Sequence, residues 1–267
     1  MRTACIVLFS STLLSVPTEG QASPSVGFEK VSQNDLGPTY QSWHPTSLRS
    51  GGTSLVTFDV PDRRGRWGSL EQVLPEPGSP YQSTALELFA PDVIVLPSEG
   101  LCAFDGGFGR LSDLRAASYR WRREGGSAPS FLATAFRLVV HDPDAGTVGS
   151  TWELVFEPVY NGFPVATGIP TGLWFESDVL AGFVWRSPIY LDGALAEPGW
   201  CGAHPSECYR YDRTPLDWGF GPRTVVVGVQ LAAGSGWTGT YRGFADDVRL
   251  RFGGPEGRTY RWNFEPM

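Results

Sequence analysis

The sequence predicts an all-β fold, two antiparallel sheets packed face to face as a jelly-roll sandwich. Three observations carry this. Apolar and polar residues alternate with period two in about a dozen short segments. No long stretch shows the helical repeat of about 3.6 residues. Gly 33 and Pro 22 make up about a fifth of the 267 residues, a proportion suited to many strands joined by tight turns. Hydrophobic residues at 41% and charged residues at 18% are enough for a real core and exclude general disorder.

In chain order, strands are predicted at Ser25–Val31, Leu55–Val60, Thr84–Phe89, Asp92–Leu96, Ala116–Arg123 and Ala135–His141. They continue at Thr151–Pro158, Leu173–Val179, Phe183–Arg186, Thr224–Leu231, Ala245–Phe252 and Thr259–Phe264. Tyr119 and Trp121 share one face of their segment, with Arg120 and Arg122 on the other. Trp152, Leu154 and Phe156 form a second apolar stripe, and Tyr260, Trp262 and Phe264 a third. Asp142-Pro143-Asp144-Ala145-Gly146 separates two strong strands and reads as a hairpin connection. Trp121, Trp152, Trp185 and Trp262, lying on alternating strands, are assigned to the core. The segment 187–222 shows no strand pattern and is predicted as one long irregular loop, a feature that often carries function.

Residues 1–22 read as a secretory signal: Arg2, an apolar run from Ile6 to Val16, then small residues around Gly20 and Ala22. Residues 23–267 are then a single sandwich domain, exported to the periplasm or beyond. No later stretch reaches about 18 apolar residues, so no membrane-spanning helix is expected. Of the cysteines beyond the signal, Cys201 and Cys208 flank six residues and are expected to pair in an oxidising compartment. Cys102 is read as a buried small hydrophobe, with a reactive thiol as the alternative. The formal charge of −7 disfavours nucleic acid as a partner. Three scattered His and the absence of Cys-x-x-Cys give zinc and haem no support.

Alternation over Phe244, Asp246, Val248, Leu250 and Phe252 places Asp246 on the inward, apolar face. A buried carboxylate needs a partner, a hydrogen bond or a metal. Calcium suits an extracellular oxygen-ligand site; a sheet-edge Asp accepting backbone N–H groups and an Asp paired with an Arg are the other readings. Phe244-Ala245-Asp246-Asp247-Val248 and the opening Gly27-Phe28-Glu29 resemble the ends of jelly-roll carbohydrate-binding modules. That resemblance implies that the Asp-bearing strand lies beside the first strand. It also implies a structural calcium held by Glu29 and Asp246. A wider set resembles a poorly characterised group of secreted bacterial β-sandwich domains. It comprises Tyr119-Arg120-Trp121, Leu138 to Asp142, Leu154 to Gly162, Gly182-Phe183-Val184-Trp185, Gly234 to Trp237 and Tyr260 to Glu265, in that order. This second resemblance implies fold and location, not activity.

Ten Trp and nine Tyr supply flat apolar faces able to stack on sugar rings. Trp200, Trp218 and Trp237 fall in loops, and Tyr160-Asn161 closes a strand in a turn, so these five are the candidate ligand-binding residues. The expected function is non-catalytic binding of a glycan or cell-surface polymer. One rival is a structural or adhesive protein that meets another protein. A second rival is a secreted carbohydrate hydrolase using Glu153 or Glu157, although the sequence nominates no catalytic pair. No Gly-x-Ser-x-Gly elbow and no phosphate-binding loop in strand–helix context is present.

Overall fold

A computed structural model describes residues 26–31, 43–46, 53–61, 67–75, 83–90, 93–96, 100–103, 107–127, 129–145, 151–163, 166–189, 200–234, 239–254 and 257–264. The signal segment 1–22 and Trp237 lie outside the described residues. Sixteen strands are described, β1 (Val26–Val31), β2 (His44–Thr46), β3 (Thr53–Pro61), β4 (Trp67–Leu74), β5 (Ser83–Phe89), β6 (Val93–Leu96), β7 (Gly100–Ala103) and β8 (Gly109–Arg110) being the first eight. The second eight are β9 (Leu114–Arg123), β10 (Ala135–His141), β11 (Thr151–Phe156), β12 (Trp174–Asp178), β13 (Val184–Pro188), β14 (Val225–Gly234), β15 (Tyr241–Phe252) and β16 (Thr259–Phe264). The β10 and β16 bounds are those the alternation predicts.

The strands form two main sheets in an all-β jelly-roll sandwich. In the first sheet β15 is central: β9 runs along one edge, with β12 outside it. The other edge of β15 is shared, β16 pairing with Val248–Arg251 and β4 with Tyr241–Ala245. The second sheet runs β13-β11-β10-β14-β5-β2, with β8 beside β14. Pairing is antiparallel apart from β1 on β16. A β6–β7 pair stands apart from both sheets. Among the described residues no helix is long and apolar enough to cross a membrane.

The core lies between the sheets. Tyr119 and Trp121 meet Phe136, Phe156 and Phe163, with ring centroids 5.3–6.2 Å apart. At the other end Trp43 packs edge-on to Trp262 and Phe264. Each such buried side chain contributes about 1.5–3 kcal/mol relative to exposure. A polar knot also crosses this core. Gln72 donates to the Leu231 carbonyl at 3.0 Å and to Ser54 at 3.2 Å, and accepts from Thr134 at 3.0 Å. It ties β4 and β3 of one sheet to β14 of the other.

The outward face of the second sheet is also buried. Cross-strand register places Glu87, Gln230 and Arg137 in one row over β5, β14 and β10, with Val155 and Trp185 continuing it over β11 and β13. Arg137 grips Glu153 through both carboxylate oxygens at 3.2 and 3.1 Å, and Gln230 donates to Glu87 at 2.8 Å.

Four expectations need correction. β2, β4, β7 and β8 are strands beyond those predicted. In β4 the inward positions are Leu70, Gln72 and Leu74, so a core glutamine breaks the apolar stripe. The segment 187–222 is not irregular throughout: it holds the short helices α1 (Trp200–Ala203) and α2 (Pro205–Cys208) and a 3-10 turn at Pro215–Trp218. Trp185 is only half-buried, because register places it beside Val155 on the outward face while Val184 points to the core.

The fourth correction concerns Asp246. It is fully buried, but not on the core face. Pairing of β15 with β9 slips between Asp246 and Arg249, and Asp247 there has φ 52. This bulge reverses the alternation. Before it, Ala245 faces the core beside Trp121 and Asp246 shares the face of Arg120. After it, Val248, Leu250 and Phe252 turn inward.

Candidate functional site

Among the described residues, the exposed aromatic side chains gather at one edge of the second sheet. β11 ends at Phe156, and Glu157 leads into a 3-10 turn at Pro158–Tyr160, with proline pre-setting its first position. Asn161 then holds the neighbouring chain: its side chain accepts from the Phe183 N–H at 2.8 Å and donates to the carbonyls of Glu157 and Phe183. These bonds carry the chain from Tyr160 back to the start of β13. On the far side of β13, Val184 N–H donates to the Arg213 carbonyl at 2.8 Å, so the segment around 209–213 runs along the sheet edge.

This brings four rings together. Tyr160 and Tyr211 stack with centroids 4.0 Å apart and planes 25° from parallel. Tyr209 leans on Trp185 at 5.7 Å. The Trp185 indole N–H donates to the Glu157 carboxylate at 2.7 Å, placing an acid among the rings. Tyr160, Tyr209 and Tyr211 remain 39%, 42% and 37% exposed, an unusual concentration of accessible aromatic surface. Burial comes first in raising the phenols of Tyr160 and Tyr211 above the ordinary value. The negative charge of Glu157 adds to that in both.

The disulfide Cys201–Cys208 forms as its spacing predicts, with Cα atoms 5.5 Å apart. It joins α1 to α2 directly before Tyr209. Arg186 of β13 braces the same segment, donating to the Glu207 carbonyl at 2.8 Å. Its guanidinium also lies over Trp152 and Trp218, 4.1 and 4.7 Å from their ring centroids.

The candidate ligand residues therefore separate. Tyr160 stands in the exposed patch. Asn161 shapes its backbone. Trp218 is not exposed: it is 8% accessible, sandwiched against Arg186, with its indole N–H on the Val184 carbonyl at 3.3 Å. Trp200 opens α1, with its side chain outside the described residues, as Trp237 is entirely. Tyr209, Tyr211, Trp185 and Glu157 complete the patch. The signal for Tyr209 and Tyr211 was the aromatic content of a strandless segment, which nothing local paired with Tyr160, while Trp185 was assigned to the core and Glu157 was considered only as a hydrolase acid.

The acids behave differently from one another. Glu153 is occupied in the buried pair with Arg137. Asp246 accepts the Phe264 N–H at 2.9 Å, beyond the last paired residues of β15 and β16, so a backbone donor meets the buried carboxylate. Glu29 lies on β1, opposite Trp262 of β16, so β16 separates β1 from the Asp-bearing strand. The expected neighbouring of those two strands does not occur. No group of three or more His, Cys, Asp or Glu able to hold a metal is found among the described residues, and the Glu29 side chain lies outside them.

No protein-family model matches the chain, and no curated protein matches it. Among solved structures, it is similar to the family 11 carbohydrate-binding module from Clostridium thermocellum in complex with a β-1,3-1,4-mixed-linked tetrasaccharide. Identity is 10%, TM-score 0.39, with 81% of this chain and 91% of that one covered. The family 11 module of the cellulosomal cellulase Lic26A-Cel5E of the same organism gives 11%, 0.38, 85% and 95%. A further similar structure is described as carbohydrate-binding modules of the β-sandwich superfamily, at 11% identity and TM-score 0.35. The chain spans 58% of its length. These likenesses are too low to bear on what this chain binds.

Proposed function

We propose that this protein is a non-catalytic glycan-binding module and that the Tyr160–Tyr211 and Tyr209–Trp185 pairs are its sugar platform. The observation that carries the reading is four rings, three of them more than a third exposed, fixed at one sheet edge around a carboxylate. Flat rings cover the apolar faces of pyranoses, while Glu157 accepts from sugar hydroxyls. The supports are rigid: β13, the Asn161 bonds and the disulfide each hold one side of the patch, so little ordering entropy is lost on binding.

The test is retention on a panel of immobilised polysaccharides, competed with soluble oligosaccharide. Tyr160→Ala and Tyr211→Ala should each weaken retention about tenfold, the loss of one stacking surface at about 1.4 kcal/mol. Their circular dichroism should remain that of the parent. Undiminished retention in both variants would move the site elsewhere. Phe183 and Leu216, exposed by 42% and 45%, favour the second reading, a protein partner. In that case no sugar would compete, and Leu216→Asp would abolish capture of the partner.

A further inference from the structure

The outward face of the first sheet carries positive charge that its own acids leave over. The bulge at Asp247 turns Arg249 and Arg251 of β15 outward, and both are exposed. A second slip, between Arg251 and Phe252, makes Arg115 the extra residue of β9, half-exposed beside them. Gly253 gives that side chain room, since an added Cβ would stand 3.0 Å from the Arg115 Nε. Register sets Ser118 beside Arg249, and Ala116 and Thr259 on either side of Arg251, so the long arginines stand clear of small neighbours. The acids of this face are engaged. Asp247 lies 2.6 Å from Arg261 and 3.5 Å from Arg120, and Glu176 lies 3.5 Å from Arg120. Asp178 accepts the N–H groups of Leu180 and Ala181, and Asp246 is buried on the Phe264 N–H. Asp113 stands 3.9 Å from Arg115, at the limit of an ion pair. Among the described residues, Arg249 and Arg251 have neither a carboxylate partner nor a hydrogen bond. Two residues apart on one strand, they stand about 6.8 Å from each other.

We propose that this face is a second glycan site, selective for acidic polysaccharides. The guanidiniums of Arg249 and Arg251 fork onto carboxylate or sulfate oxygens of a chain lying over β9, β15 and β16, and Arg115 adds a third charge. Ser118 and Thr259 supply hydroxyls that can bond those of the sugar. A nucleic acid matches this surface poorly, because it needs a broad positive field and the chain's formal charge of −7 repels it. The inference extends the glycan-binding reading to a separate surface and makes no use of the aromatic patch.

The experiment is calorimetric titration of the full chain with oligogalacturonate, its neutral methyl ester and a sulfated galactan oligomer. An acid form should bind at least about tenfold more tightly than the ester, and high salt should weaken it. The tighter of the two acids names the anion. Arg249→Gln and Arg251→Gln, both at exposed positions, should each weaken the acid about fivefold. The double variant should bring acid and ester to equal affinity. Arg210→Gln, which removes a charge paired with Asp212 outside this face, should change neither and so controls for the lowered net charge. Equal binding of acid and ester by the parent overturns the inference. So does a preference that survives the double variant, or tighter binding of single-stranded DNA of matched charge. Tyr160→Ala tests the aromatic platform separately. It should remove neutral-glycan retention and leave the affinity for the acid unchanged, so the two readings fail independently. Loss of acid binding in Tyr160→Ala with no effect of the arginine variants would place the acid on the aromatic patch and overturn the second site.

Discussion

Asp247 shows how one residue sets the faces of a strand. Its φ of 52 is a left-handed conformation that Asp tolerates better than most residues. The carboxylate is then turned to Arg261 at 2.6 Å and Arg120 at 3.5 Å. Two residues of β15 thereby oppose one of β9, which sends Val248 and Leu250 into the core and leaves Asp246 on the other side. Strict alternation places Asp246 inward because it counts through the bulge. We expect Asp247→Ala to cost about 1–2 kcal/mol, since alanine pays the left-handed penalty and loses both arginines. Asp247→Gly should cost less, because glycine adopts that φ freely. Urea denaturation of the two variants ranks them. Both variants lose the arginines, so their difference isolates the backbone, and an Ala variant as stable as the Gly variant would mean that the left-handed conformation costs alanine nothing here.

At the scale of elements, the second sheet carries charge where an alternating strand would normally meet water. Arg137 on β10 and Glu153 on β11 are both buried and bonded through two oxygens. Removing one partner strands the other charge. Glu153→Gln should therefore lower stability by about 3–5 kcal/mol in chemical denaturation. The paired replacement Arg137→Met with Glu153→Leu should recover most of the loss. A single variant as stable as the parent would show that the pair adds nothing. The strands themselves were legible wherever aromatics alternate with arginine or glutamate, as in β9, β11 and β16. β4 was not, because its core position 72 is an amide made affordable by Thr134, Ser54 and Leu231, all distant in sequence.

For the whole molecule, two buried phenols link the sheets to the segment between β9 and β10. Tyr119 donates to the Thr134 carbonyl at 2.7 Å, and Tyr241 shares the Thr134 hydroxyl at 3.1 Å. Burial raises the Tyr119 phenol well above its ordinary value and pushes Tyr241 up to about 12. The folded chain therefore holds these protons more tightly than the unfolded chain does. Their stabilisation is fully present below the ordinary phenol range near 10. It is lost as pH rises from there through the folded values. Alkaline titration should show the last tyrosines ionising together with loss of the near-ultraviolet dichroism. Reversible ionisation of every tyrosine with the fold intact would contradict this.

Period-two alternation and turn chemistry determined the sandwich class and most of its strands, and cysteine spacing the pairing of Cys201 with Cys208, because these depend on residues close together in the chain. Of the patch, the sequence alone pointed to Tyr160. Tertiary structure decided that Tyr211 stacks on it, that Trp185 faces outward to Glu157, and that Trp218 is buried under Arg186. Those outcomes depend on which strands become neighbours, and the face taken by Asp246 depends on one bulge; neither is encoded in local periodicity.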